Sequence, residues 1–446
     1  MTGKYMGKIC GILALLLMFG SLGGCQYGDL YIQESSYEST KLIDGWLAYK
    51  SQVEDTTKFA TGSEKTPEAA EKDHKEQKDL ETEPVTAETV EKKPYVQQVS
   101  KVDMEKAVVQ PLVEHGFYYQ YLSDSLKVVY DEMLRSMLQM EKVKISTLSS
   151  EQADFAFQCV LFDHPEIFYV SGYQITKKTM DGSVIELSFV GEYTLSKEEI
   201  IERQKKIDAY TSDFCEKLRV GMDEYEKVKE VYEYLITNTT YNLDAVDNQN
   251  ICSVFLSGQS VCQGYAEATQ YLLQILGIEA SIVSGIVSDG ERHAWNIVKV
   301  NGSYYYVDPT WGDADYRIID ENGEVAQSDL TQINYDYFLV TTEQLELTHQ
   351  IEAVVELPLC DDTKDNYYIR EELFFEEVDE EKIKLAFERA YASGQGMVTL
   401  RASDAIVFAA LKEYMITEQN VFHYIKSSGT ISYSEDVKLS TLCFWL

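Results

Sequence analysis

Three side chains able to perform acyl-transfer chemistry stand within 47 residues of one another: Cys262, His293 and Asp308. A thiol is a strong nucleophile once ionised, an imidazole can take or return a proton near neutrality, and a carboxylate can fix the imidazole's tautomer. The question is whether the local sequence positions them. In GQSVCQGYAEATQYLLQILG (258–277), the apolar residues Ala266, Leu272, Leu273, Ile275 and Leu276 follow helical spacing, and Gly277 is suited to end the helix. Gly258 and Gly264 bracket Cys262, which places it in the first turn. Unpaired backbone N–H groups and the positive end of the helix dipole there stabilise a thiolate.

The segment HAWNIVKVNGSYYYVDPTWGD (293–313) has two extended runs around Asn301-Gly302, a strong hairpin signal. A two-residue turn there pairs 300 with 303, 298 with 305 and 295 with 308. His293 is then the diagonal neighbour of Asp308 on one face, at about 7–8 Å between backbones, within side-chain reach. The hairpin register thus predicts an imidazole beside a carboxylate. It does not place the Cys262 helix against them.

The stretch 258–313 resembles the core of the transglutaminase-like superfamily, with the motifs VCQGYA, HAWN and YYYVDPTW in the family's order and Cys262, His293 and Asp308 at the matching positions. The resemblance covers about 206–355 and extends over NYDYF at 334–338 and His349. It implies an α+β, papain-like fold, with the Cys-bearing helix packed on an antiparallel sheet. It also implies acyl transfer through a thioester. Attack on a carboxamide or peptide carbonyl needs donors for the developing oxyanion. The backbone N–H of Cys262 is one, and the second is Tyr241 or the side chain of Gln259. Trp295 and Trp311 are candidates to wall the substrate pocket. No cofactor and no metal is expected: Asp313 and Asp315 form a D-x-D pattern without a fuller ligand set. No spacing logic attaches His349 or His423 to the site.

The 446-residue chain is long enough for several domains. Lys4 and Lys8 precede an apolar stretch, Ile9 to Phe19, too short to span a bilayer, and Leu22-Gly23-Gly24-Cys25 resembles the bacterial lipobox. Residues 1–24 are therefore expected to be a lipoprotein signal peptide and Cys25 a lipidated residue, which anchors the chain on the extracellular side of a bacterial membrane. From about 50 to 98 the composition is Glu/Lys/Thr/Ala-rich and poor in large apolar residues, so 25–100 is read as a lipid-anchored disordered spacer. An N-terminal α+β domain (101–205), the transglutaminase-like catalytic domain (206–355) and a small C-terminal α/β appendage (356–446) follow. In the first of these, DHPEIFYV at 163–170 resembles a region of secreted bacterial proteins bearing the domain, and His164 serves a turn.

The 39 basic and 75 acidic residues leave a net charge of −36, which repels phosphate backbones and excludes nucleic acid as the expected partner. Of eight cysteines, 159, 215, 252, 360 and 443 show no C-x-x-C spacing and read as small buried apolar residues. Two functions compete. One is a surface-anchored cysteine enzyme acting on peptide or glutaminyl amides of a protein or cell-wall-linked peptide, with hydrolysis favoured over cross-linking. The other is a non-enzymatic module using the same fold to bind wall or protein. The intact Cys/His/Asp set favours the enzyme.

Overall fold

The computed structural model describes residues 30–38, 106–288, 290–314, 317–319, 325–327, 332–426 and 431–446. The expected signal peptide, Cys25, Asp315 and most of the expected spacer lie outside these residues.

The first sheet has strand order β1-β3-β4-β2, with β1 at Leu30–Glu38, β2 at Val143–Ile145, β3 at Val170–Met180 and β4 at Ser183–Tyr193. β1 lies inside the segment expected to be a disordered spacer. Its sequence LYIQESSYE carries the aromatic and β-branched residues that strands favour, a local signal that a composition average over the longer stretch conceals. Two helices, α1 (Asp124–Gln139) and α2 (Ser150–Asp163), cover this sheet, each begun by a serine whose hydroxyl accepts an N–H of the first turn. Then α3 (Lys197–Lys217) and α4 (Glu224–Asn238) open with reciprocal capping boxes, Ser196 with Glu199 and Asp223 with Glu226.

The second sheet is fully antiparallel. Short strands β5 (Thr240–Tyr241) and β6 (Gln259–Ser260) pair in parallel ahead of helix α5 (Cys262–Ile275). Strands β7 (Ala280–Val287), β8 (Arg292–Val300) and β9 (Ser303–Val307) follow, with β10 (Phe338–Val340) and β11 (His349–Ile351) at the edges in the order β10-β9-β8-β7-β11. The β8–β9 register pairs Val300 with Ser303, Val298 with Tyr305 and Asn296 with Val307, as the hairpin reading requires. Asn301 and Gly302 both have positive φ, the signature of the tight turn that matches strand twist. The fold is thus α+β, with the Cys-bearing helix on an antiparallel sheet.

One continuous core of buried side chains runs from Val109 to Tyr368, across the 205/206 boundary. Polar bonds stitch the same seam. Tyr118 donates to the Ile282 carbonyl at 2.6 Å, and Gln270 Nε2 and Ser281 Oγ both donate to the Phe162 carbonyl, at 2.8 and 3.3 Å. His164 of the DHPE stretch is buried at the end of α2 with Nδ1 2.8 Å from Glu166 Oε1, a structural pair remote from Cys262. None of the six described cysteines forms a disulfide.

The C-terminal part has its own core. Strand β12 (Phe374–Phe375), helix α6 (Glu380–Ser393), parallel strand β13 (Met397–Ala402) and helix α7 (Ala405–Lys412) make the expected βαβα run. The hairpin of β14 (Tyr433–Asp436) and β15 (Thr441–Trp445) then pairs β15 with β13. This part is fastened to the catalytic sheet by a nearly buried ion pair. Arg401 Nη1 lies 2.9 Å from Asp336 Oδ1, which also accepts from Tyr368 (2.8 Å) and Thr441 (3.1 Å). Removing one member of such a pair strands the other charge away from water. Arg401→Ala is therefore expected to cost about 3–5 kcal/mol of stability by denaturant titration; a loss below about 1 kcal/mol would mean the pair is solvated.

Candidate active site

Helix α5 differs from its neighbours at its start. Its N-cap is Val261, which has no side-chain acceptor, so the N–H groups of the first turn face forward uncapped at Cys262. The half-buried Cys262 occupies the position that an anion favours. Gly264, one turn along, has Ser260 Oγ only 2.1 Å from where a Cβ would stand. Any side chain there would push α5 off β6.

The helix is clamped to the hairpin by Asn296, in the middle of β8. Its Nδ2 donates to the Ala266 carbonyl of α5 at 2.9 Å and to the Ser281 carbonyl of β7 at 3.3 Å. That buried amide settles the relation between helix and hairpin that spacing alone left open.

His293 Nε2 lies 2.7 Å from Asp308 Oδ2, both side chains buried. The other ring nitrogen, Nδ1, is left for Cys262, whose side chain lies close enough to raise the proton affinity of this imidazole. Asp308 caps the single helical turn Pro309–Gly312: its Oδ1 accepts the N–H groups of Thr310 (2.9 Å) and Trp311 (3.2 Å). Burial alone would push this carboxyl up, but His293 first, and then His349, hold it well below the usual carboxylate range. Burial would likewise lower His293; the Asp308 charge and hydrogen bond, with Cys262, outweigh it and lift the imidazole to about 10. His293 is thus an imidazolium at neutral pH, poised to protonate a leaving group.

His349, on β11, also reaches Asp308: its Nε2 lies 3.2 Å from Oδ2. This corrects the expectation that nothing attaches His349 to the site. β11 pairs with β7 (His349 opposite Val287) while β8 pairs with the other edge (His293 opposite Gly285), so both imidazoles share one face of the sheet. The contact joins residues 41 apart through a strand whose partner no short-range signal reveals. His293, Asp308 and His349 also form the one group among the described residues with metal-ligand atoms within 4.8 Å of one another. Those atoms already face each other in the hydrogen bonds given above, so a cation would have to displace their protons.

The remaining candidates separate. Tyr241, exposed on β5, lies within electrostatic range of Cys262; burial first and then the Cys262 charge raise its phenol above the ordinary value. Gln259 is turned to the surface, where its Oε1 accepts from Asn242 at 2.8 Å, while its neighbour Ser260 is buried. Of the two, Tyr241 is the one with an electrostatic contact to Cys262. Trp295 is not a pocket wall. It is fully buried, 6.0 Å from the His293 ring and 5.0 Å from that of His349, because strand alternation turns it to the same inner face as His293. Trp311 is only partly buried and packs 4.6 Å from His349 and 5.0 Å from Tyr337. Asp313 accepts from Tyr265 at 2.7 Å, and His423 lies in the C-terminal part, away from the site.

A thiol at an uncapped helix start, bridged through one imidazole to a buried carboxylate on an antiparallel sheet, defines a papain-like cysteine fold. Residues 212–309 match the family model of the transglutaminase-like superfamily. No protein of curated function matches the chain. Among solved structures, a TGase is 17% identical, with 33% of this chain and 46% of that chain covered and a TM-score of 0.24; this chain thus spans less than half of that one. A candidate cysteine protease from Cytophaga hutchinsonii is 14% identical (41% and 79% covered, TM-score 0.22). The periplasmic domain of TgpA from Pseudomonas aeruginosa, bound to ethylmercury, is 13% identical (31% and 72% covered, TM-score 0.18).

The Asp308→Asn variant keeps the shape of the carboxylate and removes the charge that lifts His293. Its turnover is expected to fall on the order of 10³–10⁴-fold. The sign of the stability effect follows from the raised imidazole. A folded pKa near 10, against about 6.5 unfolded, contributes stability fully present below the unfolded value and lost as pH rises through about 10. The stability gap between wild type and Asp308→Asn should therefore be widest near pH 6 and narrow towards pH 10 in urea titrations. A gap of constant width would contradict an ionised pair.

Proposed function

We propose that the chain is a cysteine acyl-transfer enzyme acting on peptide or glutaminyl amide bonds. The observation that carries this reading is the His293 ring, with Nε2 on Asp308 at 2.7 Å and the Cys262 side chain at the start of α5 close enough to act on the same imidazole. The Cys262 sulfur attacks the amide carbonyl, with the oxyanion received by the Cys262 backbone N–H and the Tyr241 hydroxyl. The C–N bond then breaks as His293 donates its proton to the departing amine, which leaves a thioester. Water or an amine attacks the thioester, His293 takes the incoming proton, and the thiol is restored. Cys262 is half-exposed and Tyr241 open to solvent, so water is the ready acceptor and hydrolysis is the favoured outcome. The intact thiol–imidazole–carboxylate set has no use in a module that only binds, and for that reason the enzyme is preferred.

Placement rests on sequence. The stretch Leu22-Gly23-Gly24-Cys25 supports lipidation at Cys25 and a location on the outer face of a bacterial membrane, where the substrate would be a protein or a wall-linked peptide. Among the described residues no helix is long and apolar enough to cross a membrane.

Two measurements test this. With a glutamine-containing peptide, the chain from residue 26 onward, which keeps β1, is expected to release ammonia and form the free acid, with or without a primary amine, and Cys262→Ala to abolish it. Amine incorporation as the main product would reassign it as a transferase, and no turnover of any amide would favour the binding module. In a bacterial host, fatty-acid label is expected in the full chain and absent from the Cys25→Ser variant; equal labelling of both would remove the anchor.

A further inference from the structure

The contact between His349 and Asp308 has a direction. His349 Nδ1 lies 2.8 Å from the Thr348 hydroxyl, whose alternative acceptor, the Leu345 carbonyl, is farther at 3.4 Å. The ionised Asp308 carboxylate can only accept, so the imidazole's own proton is on Nε2, aimed at Asp308 Oδ2, and Nδ1 accepts from the Thr348 hydroxyl. Asp308 then accepts four N–H groups: Thr310 and Trp311 on Oδ1, His293 and His349 on Oδ2. His349 is fully buried beneath Trp295, Trp311 and Tyr337, so it cannot touch a substrate. Gly285 permits this layout: a Cβ there would lie 2.0 Å from the Gln350 carbonyl and 2.7 Å from the Trp295 ring, driving β11 away.

We infer that His349 is a positioning residue that moderates the catalytic pair. By donating to Asp308 it takes up part of the carboxylate's charge and fixes Oδ2, so that His293 remains an acid strong enough to protonate the leaving amine. This rests on the reading of Cys262 and His293 given above. A carboxylate with one donor fewer would hold the His293 proton more tightly, and a more weakly acidic imidazolium is a slower general acid. The groups facing this cluster are Cys262 on α5, Tyr241 on β5 and Tyr337 ahead of β10, with Tyr232 of α4 near the Asp308 carbonyl. Tyr241 and Tyr337 are both raised above the ordinary phenol value, chiefly by burial.

The test follows the full chain carrying His349→Phe, which keeps a ring but has no N–H, and His349→Gln, which keeps a donor. Cys262 alkylation by iodoacetamide is read peptide by peptide against pH, alongside turnover of the glutamine-containing peptide. In His349→Phe the upper inflection of Cys262 alkylation, where His293 loses its proton, is expected to rise by about half to one pH unit, with kcat falling about 3- to 10-fold at unchanged KM. His349→Gln is expected to recover most of both. Thr348→Val, which removes the hydroxyl that donates to Nδ1, should move both in the same direction by less, and serves if His349→Phe does not fold. A Cys262 profile in His349→Phe and Thr348→Val identical to wild type overturns the inference, as does equal impairment of His349→Gln and His349→Phe. If wild type itself shows neither a fast Cys262 reaction nor turnover, the reading of the site fails and this one with it.

Discussion

A carboxylate shut away from water is tolerable only where N–H groups replace the solvent, and the five-stranded sheet with its Cys-bearing helix is arranged around one such group. Asp308 draws donors from three separate places: the turn it caps, strand β8 and strand β11. Its backbone takes part as well, since the Asp308 N–H donates to the Tyr337 carbonyl at 2.9 Å. Desolvation would otherwise neutralise the carboxyl. With its donors in place it is held ionised, and the ionised form is what makes His293 a cation in a buried setting. The sheet order β10-β9-β8-β7-β11 is the topological condition for this, because it brings residues 293, 308 and 349 to one end of one face.

The thiol reaches that end by a different route. Helix α5 is held by Asn296 on its sheet side and by Gln270 reaching the Phe162 carbonyl on the other. The N-terminal part is therefore a brace for the catalytic helix. It shares one core with the catalytic sheet, and its α2 end supplies carbonyls that α5 and β7 bond directly. A helix so held can leave its own first turn uncapped, since packing replaces the stabilisation that a capping side chain would give.

Much of this was legible in the residues. Asn-Gly between two extended runs fixed the β8–β9 register, and from it the meeting of His293 and Asp308. Glycine spacing placed Cys262 at a helix start, and the family motifs supplied the fold. What escaped shares one physical cause: it depends on pairings far apart in sequence. His349 arrives on a three-residue strand whose partner, β7, lies 62 positions earlier, and Asn296 reads in sequence as one polar residue within a strand rather than as a clamp. Trp295 misled because alternation gives a face but not its depth. Gln259 is turned to the surface by the β5–β6 pairing, with its side-chain oxygen accepting from Asn242 just beyond β5.

The Asp336 pair carries a consequence for the order in which the molecule can be completed. Asp336 sits between Tyr335 and Tyr337, the residue whose carbonyl receives the Asp308 N–H. Its partners Arg401 and Thr441 lie 65 and 105 positions downstream. A chain that leaves the ribosome or crosses a membrane amino end first presents Asp336 long before either partner. Until those two residues arrive, the loop behind Asp308 lacks two of the partners that hold Asp336 in the finished fold.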